Sequence, residues 1–282
     1  MAFELPFLSS KTPPLIGLDI GSSSVKLVEL SQPSPGTVRL ERYAIEPLPR
    51  GAVVDGNFDK IDIVAEAVKR AWRRSGTRIK NVAMALPSSA VITKRIALPA
   101  NLREEEMEMQ VESEANQYIP FALDEVSLDF QVLGPIPNSP DDAEVLIAAS
   151  RKEKVEDRMA VAQIAGLKPV IIDVESYAMR GALERLIEQL PNRGEGLVIA
   201  AFYLGANSTT ATVMHDGEAI YERDQPFGGQ QLTSDIARAY GISVDEAEQK
   251  KRSGDLPADY ETAVLKPFID TTSTEITRAL QF

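Results

Sequence analysis

Apolar and polar side chains alternate in three runs near the start of the chain: LIGLDI (Leu15–Ile20), SVKLVEL (Ser24–Leu30) and TVRLERYAIEPL, residues 37–48. A period of two predicts strands. The small residues Gly21 to Ser23 between the first two predict a β-hairpin turn. Pro33, Pro35 and Gly36 predict the loop before the third. Over Lys60–Arg74 the period changes, and Ile63, Ala67 and Ala71 predict a helix. Strands are expected at Asn81–Leu86 and Val91–Leu98, parted by Pro87 and Ser88. Asn101 with Glu104 predicts a helix cap, an acceptor followed by a carboxylate on the positive helix end. That helix should reach Tyr118 and stop at Pro120, with Met107, Val111 and Ala115 inward and Glu104, Glu105, Glu108 and Glu112 outward.

Strands at Val126–Leu133 and Glu144–Ala149 are expected to flank a Pro/Asn/Ser/Asp loop. A helix over Lys152–Ala165 closed by Gly166, the strand PVIIDV and a helix over Glu175–Gln189 follow. Pro191–Gly196 (PNRGEG) predicts a hinge or a domain junction. The run LVIAAFYLGANSTTATVM then restarts the strand pattern, His215, Asp216 and Gly217 make a turn, and EAIYERD gives another strand. Helices near Gln230–Tyr240, Val244–Lys250 and Pro257–Leu280 complete the chain. Strands then helices, twice over, predict an α/β (α+β) class with mixed sheets.

The apolar content of 44% supports folded cores in a chain of 282 residues, and residues 1–14 read as a loose tail before Pro13 and Pro14. Thirty basic against 42 acidic residues give a net charge of −12. Broad nucleic-acid binding needs the opposite sign, so it is not expected. Cysteine is absent, which excludes disulfides, thiolate metal sites and cysteine nucleophiles. His215 is the one histidine, which excludes multi-histidine metal sites. No apolar run approaches the ~20 residues of a membrane helix, and the first residues lack a secretory signal, so a cytoplasmic location is expected. Lys69, Arg70, Arg73 and Arg74 form a basic helix end, read as a solvated face or as contact with an anionic surface or partner.

The informative feature is an internal repeat. Placing Asp19 over Tyr203, an offset of 184 positions, puts Gly21 on Gly205 and Ser22, Ser23 and Ser24 on Ala206, Asn207 and Ser208. Each copy is a strand, a glycine turn of small residues, and a strand. Such turns expose consecutive backbone N–H groups that bind anions, above all phosphate. Two of them, in two related lobes, suit the two ends of a polyphosphate across a cleft. Small residues also occur in tight turns for conformational reasons alone.

IGLDIGSSSVKLVELS, NQYIPFALDEVSLDFQVLG, IIDVESYAMRGALERL and AIYERDQPFGGQQLTSDIARAYGISVDEAEQKKRSGDLPADY together resemble the PilM family of type IV pilus assembly proteins, over roughly Leu15 to Phe282. That family is similar to FtsA and belongs to the actin/Hsp70/sugar-kinase superfamily. The resemblance implies an actin-like two-lobed fold. Residues 15–86 with 167–190 would form the first lobe, 87–166 an FtsA-type inserted subdomain, and 191–282 a second lobe lacking its last strand–helix unit.

It also implies ATP or ADP with Mg2+ as cofactor. The first phosphate motif would be Asp19, Gly21, Ser22, Ser23 and Ser24, with Lys26 as a point charge on phosphate oxygens. Asp19 would hold magnesium through water. The second would be Gly205, Ala206, Asn207, Ser208 and Thr209. Gly228 and Gly229 would approach the nucleotide, and Glu248 with Lys251, an E-x-x-K pair on one helix face, would meet the ribose. A plain surface salt bridge is the alternative for that pair. The partner implied is the cytoplasmic N-terminal peptide of a PilN-like inner-membrane protein, with other pilus assembly proteins, at the cytoplasmic face of the inner membrane. Tyr118 and Phe121 in QYIPF are the candidates for lining its groove, with burial under the subdomain's sheet as the alternative.

Two features depart from an active ATPase. Tyr203 stands where the second motif carries aspartate, and the superfamily's water-orienting position falls on Ile171. Asp173 and Glu175 are the nearby acids, as water-positioning groups or as caps of the following helix. Three readings stand: an ATP-binding scaffold with at most slow hydrolysis, an interaction module with a vestigial cleft, and a sugar-kinase-like phosphotransferase.

Overall fold

A computed structural model describes residues 13–34, 36–137 and 139–281. The expected tail over residues 1–12, Pro35 in the expected loop, and Phe282 lie outside the described residues. The chain forms two compact units, residues 1–178 and 179–282.

In the first unit, β1 (Ile16–Ile20) and β2 (Ser24–Ser34) form the expected hairpin, and β3 (Thr37–Pro47) pairs antiparallel with β2. The second strand runs past Leu30 through Pro33, because its outer end pairs only with β3, where a proline costs no ladder bond. A small ribbon follows, β4 (Val53–Val54) and β5 (Asn57–Phe58). Helix α1 (Ile61–Ser75) ends where Gly76 adopts φ 68° and donates its N–H to the Arg73 carbonyl. It buries Val64, Ala65, Ala67, Val68 and Ala71, whereas Ile63 is 38% exposed and lies off the stripe expected of it. Its basic end turns on the chain's own acids: Arg70 and Arg74 lie 3.6 and 3.1 Å from Glu46, and Lys69 lies 3.2 Å from Glu66.

Strand β6 (Asn81–Leu86) runs parallel to β1. An inserted layer follows: β7 (Val91–Pro99), α2 (Glu104–Tyr118), β8 (Val126–Ile136) and β9 (Ser139–Arg151), in sheet order β7-β9-β8. Met107, Val111 and Ala115 of α2 pack on Val145, Ile147 and Ala149 of β9. The start of α2 differs from the expectation. Arg103, not Asn101, precedes the helix, and Glu106 reaches back to accept the Arg103 N–H at 3.0 Å. The expected Pro/Asn/Ser/Asp loop is instead mostly strand: Pro135 pairs with Ala143, and a bulge at Gly134 absorbs the irregularity.

Helix α3 (Lys152–Ile164) and β10 (Lys168–Val174) close the first unit, with β10 parallel to β6. The main sheet order is β10-β6-β1-β2-β3. Its inward residues Ile16, Leu18, Val25, Leu27, Val82 and Met84 form one core with α1 and with Val161 and Ala162 of α3.

Helix α4 (Glu175–Ile187) leads into the second unit. There β11 (Val198–Leu204), β12 (Thr209–His215) and β13 (Glu218–Gln225) make an antiparallel sheet. Helices α5 (Gly229–Tyr240), α6 (Val244–Ser253) and α7 (Lys266–Ala279) follow. A π-turn over Glu261–Leu265 divides what the pattern predicts as one helix from Pro257. Ile236, Ala237, Ala247 and Val264 form this unit's core.

Candidate functional site

The repeat read from the sequence is a repeat of geometry. In the first unit, Asp19 pairs with Lys26 and Ile20 with Val25, and the Gly21 N–H donates to the Ser24 carbonyl at 3.1 Å. In the second, Tyr203 pairs with Thr210 and Leu204 with Thr209, and the Gly205 N–H donates to the Ser208 carbonyl at 2.9 Å. Both are turns closed by one bond over the same four positions, in the same strand register.

The first turn ends the parallel strand β1. Gly21, Ser22, Ser23 and Ser24 are all half-buried. A Cβ on Gly21 would meet its nearest neighbours at 3.6 Å, from the Ser24 carbonyl, and 3.9 Å, from Lys26 Nζ. Gly21 lacks a positive φ. Neither backbone strain nor packing therefore requires glycine there, and open approach to the turn is what its missing side chain provides. Lys26 Nζ lies 2.7 Å from Asp19 Oδ2. Asp173, next to last in β10, lies at the same carboxyl edge of the sheet. Ile171 and Gly17 both pair with Ala83, so two residues on, Asp173 and Asp19 share the outer face. The carboxyl edge of parallel strands is where α/β sheets hold ligands. Asp173 Oδ1 accepts the Val174 N–H at 2.7 Å, immediately before α4, and Glu175 is the first residue of that helix.

The second turn is built against α5. The Gly205 carbonyl accepts the Gly229 N–H at 2.9 Å, and the Ala206 carbonyl accepts the Gln230 N–H at 2.8 Å. In a trans peptide the N–H points opposite its carbonyl. The Ala206 and Asn207 N–H groups are thus directed away from α5, as outward donors. Gly228 secures the approach: a Cβ there would lie 2.5 Å from the Ala206 oxygen and 2.7 Å from the Gly205 oxygen. Buried Thr209 donates to the Phe227 carbonyl at 2.6 Å, tying the turn to the chain entering α5.

Glu248 and Lys251 join this assembly through a residue the sequence reading passed over. Thr233, fully buried on α5, donates to Glu248 Oε2 at 2.6 Å and accepts from Lys251 Nζ at 2.7 Å. Lys251 Nζ lies 2.6 Å from the same carboxylate oxygen and 3.4 Å from the Gly229 carbonyl. Arg252 adds a bond to Glu248 Oε1 at 2.7 Å. Burial raises the Glu248 pKa, but the bonds from Lys251, Thr233 and Arg252 outweigh it and leave the carboxyl below its ordinary value. The pair is therefore more than a surface salt bridge, since it is bonded to the helix carrying Gly229. The hydrophobic face of α5 offers a signal for Thr233, which sits one turn before Ala237.

Other residues are visible only in three dimensions. Asp224 shares a sheet row with Tyr203 and Thr210 and accepts the Thr210 hydroxyl at 2.6 Å, placing a carboxylate in the row of Tyr203. Gln230 Nε2 is a buried donor with no hydrogen-bond partner, on the α5 turn that meets Ala206. Arg158 is buried under the first unit's sheet edge. It donates to the Ala85 and Gly56 carbonyls at 3.2 and 2.9 Å and stacks on Phe58 at 4.1 Å. Burial lowers its pKa to about 10, against the attraction of Glu175, Asp157 and Asp19. Tyr118, 45% exposed, lies under Lys94 at 4.9 Å, whereas Phe121 packs on the inserted layer's core with Arg151 at 4.0 Å.

In the first unit the open Gly21 turn beside Lys26, and in the second the outward turn amides with the unpartnered Gln230 donor, each have the character of an anion-binding turn. Among the described residues no three carboxylates or histidines gather as a metal cage. In the first turn Asp19 fits a magnesium ion only as a carboxylate that would hold the ion through its waters.

A family model described as type IV pilus assembly protein PilM matches residues 17–282. The solved PilM-PilN type IV pilus biogenesis complex contains a chain 31% identical, at a TM-score of 0.74, covering 95% of this chain and 77% of that one. The ethanolamine utilization protein EutJ from Carboxydothermus hydrogenoformans shares the fold at a TM-score of 0.58 and 17% identity, covering 96% of this chain and 72% of that one. The cell division protein FtsA of Enterococcus hirae is 24% identical over 259 residues, or 86% of this chain and 58% of its own length. The chain thus spans less than two thirds of that curated relative.

Proposed function

The chain belongs to the PilM family of type IV pilus assembly proteins and has its actin-like fold, and from this premise we propose that it is an ATP-binding scaffold of the pilus inner-membrane assembly complex. Each turn is a phosphate-binding element: Gly21–Ser24 with Lys26 in the first unit, and the outward amides of Ala206 and Asn207 in the second. Glu248 and Lys251, held by Thr233, would meet a ribose, and magnesium held through water by Asp19 would supply charge neutralisation to the phosphates. The observation that carries this reading is the pair of turns with the same closing bond in the same register. Tyr203 and the helix-start bonding of Asp173 favour binding over turnover.

The scaffold docks on the cytoplasmic N-terminal peptide of a PilN-like membrane protein, in line with the relative solved as a PilM-PilN complex. Docking on that partner would place the scaffold at the cytoplasmic face of the inner membrane, and no described helix is long and apolar enough to cross a membrane. Exposed Tyr118, under Lys94 of strand β7, is the side chain we assign to an extended peptide, whereas Phe121 packs on the core of the inserted layer. Nucleotide and peptide affinities couple reciprocally if each orders the same state. The test titrates a labelled PilN N-terminal peptide with and without Mg2+-ATP. Peptide binding that is weakened by Tyr118→Ala and changed by nucleotide supports the scaffold. Peptide binding indifferent to ATP, with no ATP retained, supports the vestigial-cleft module instead.

A further inference from the structure

The mouth of the first turn is held by an ion pair. Asp19 and Lys26 are register partners, with Oδ2 and Nζ 2.7 Å apart, and both side chains are about half exposed. The ammonium also lies over the turn, 3.9 Å from where Gly21 would carry a Cβ. An anion reaching the turn amides must therefore deal with both partners. Lys26 attracts it, while Asp19 both repels it and competes for Lys26. The second turn has no such arrangement. Its equivalent positions are Tyr203 and Thr210, and the Thr210 hydroxyl is directed to Asp224.

We infer that Asp19 is a specificity-determining residue, which makes this site select the metal-complexed nucleotide over the free polyanion by withholding Lys26 from phosphate. The inference rests on the nucleotide reading above. A free triphosphate must displace Asp19 from Lys26 and leave an uncompensated carboxylate beside its own charges. A divalent cation on the phosphates removes both obstacles. Water bound to that cation would donate hydrogen bonds to the Asp19 carboxylate and draw it off Lys26, and the released ammonium would then meet a phosphate oxygen. Like charges ~5 Å apart repel strongly even at an effective dielectric of ~20, and exposure and salt reduce the effect to roughly tenfold in affinity.

The test is equilibrium dialysis of ATP in excess EDTA and of ATP in excess Mg2+, on the full chain and on the variants Asp19→Asn, Lys26→Met and the double variant. The folding of each is confirmed by its melting curve. The wild type should bind ATP about tenfold more weakly in EDTA than in magnesium. Asp19→Asn should bind ATP in EDTA about tenfold more tightly than the wild type and lose most of the metal preference. That gain should vanish when Lys26 is methionine. If Asp19→Asn gains nothing in EDTA, or gains as much without Lys26, the inference fails while the nucleotide site stands. If the wild type binds no ATP even with magnesium, the site reading fails and the inference falls with it.

Discussion

Gly228 approaches Ala206 so closely that a single added carbon would stand 2.5 Å from the Ala206 carbonyl oxygen. Its φ of −169° is ordinary extended backbone, so the requirement for glycine is one of contact and not of conformation. Gly21 lies in the matching half with room for a Cβ. The two glycines should therefore respond differently to alanine. Gly228→Ala should cost about 1–3 kcal/mol of stability, since backbone must move to admit the methyl group. Gly21→Ala should leave the melting temperature nearly unchanged and weaken ATP binding. Thermal denaturation and dialysis on both variants separate these outcomes.

Thr233 should prove to be a positioning residue. Thr233→Val keeps its volume but removes the bond to Glu248 and the acceptor for Lys251. The expected cost is about 1–3 kcal/mol of stability. ATP affinity should fall on the order of tenfold, equivalent to about 1.4 kcal/mol. Thr233→Ser should restore most of both, and a denaturant titration beside an ATP titration checks the pair.

The Glu248 carboxyl sits below its ordinary range in the folded state, through the bonds from Lys251, Thr233 and Arg252 that outweigh its burial. A depressed carboxylate pKa contributes stability that is present above the unfolded value and lost as pH falls through the folded one. Urea midpoints of wild type and Glu248→Gln should therefore differ by a constant amount near neutrality. The gap should close as pH falls below about 4.3. A gap that does not narrow at all as pH falls from about 5 to about 3 would show that the carboxylate's charge contributes nothing.

Arg158 holds a charge among backbone carbonyls and a ring, where burial lowers its pKa to about 10 and still leaves it charged at neutral pH. Arg158→Ala should cost about 3 kcal/mol or more, because the Ala85 and Gly56 carbonyls lose a charged donor. Thermal melting of the variant measures it.

The strands, the helix stripe at Met107, Val111 and Ala115 and the repeated turns were legible in the chain, because period and glycine placement are local properties. The cap at Arg103 and Glu106 was not, since a glutamate side chain reaching back can replace a short capping residue. The β8–β9 strand ends were hidden by proline and aspartate, residues that a two-sided hairpin end tolerates. Ile63 satisfied a four-residue spacing, yet Val64 and Val68 took the buried stripe. Within the site, the motif residues were readable, but what joins them was not. Gly228 on Ala206 and Thr233 on Glu248 are tertiary contacts across 15 to 22 positions, with no periodic trace in sequence.

The central claim is that each of the two turns is a phosphate-binding element, and calorimetric titration of Mg2+-ATP tests it most directly on wild type, Gly21→Asp and Ala206→Asp. The account predicts ATP binding by the wild type and loss of measurable binding when a carboxylate enters either turn. Undiminished binding in either variant would contradict it.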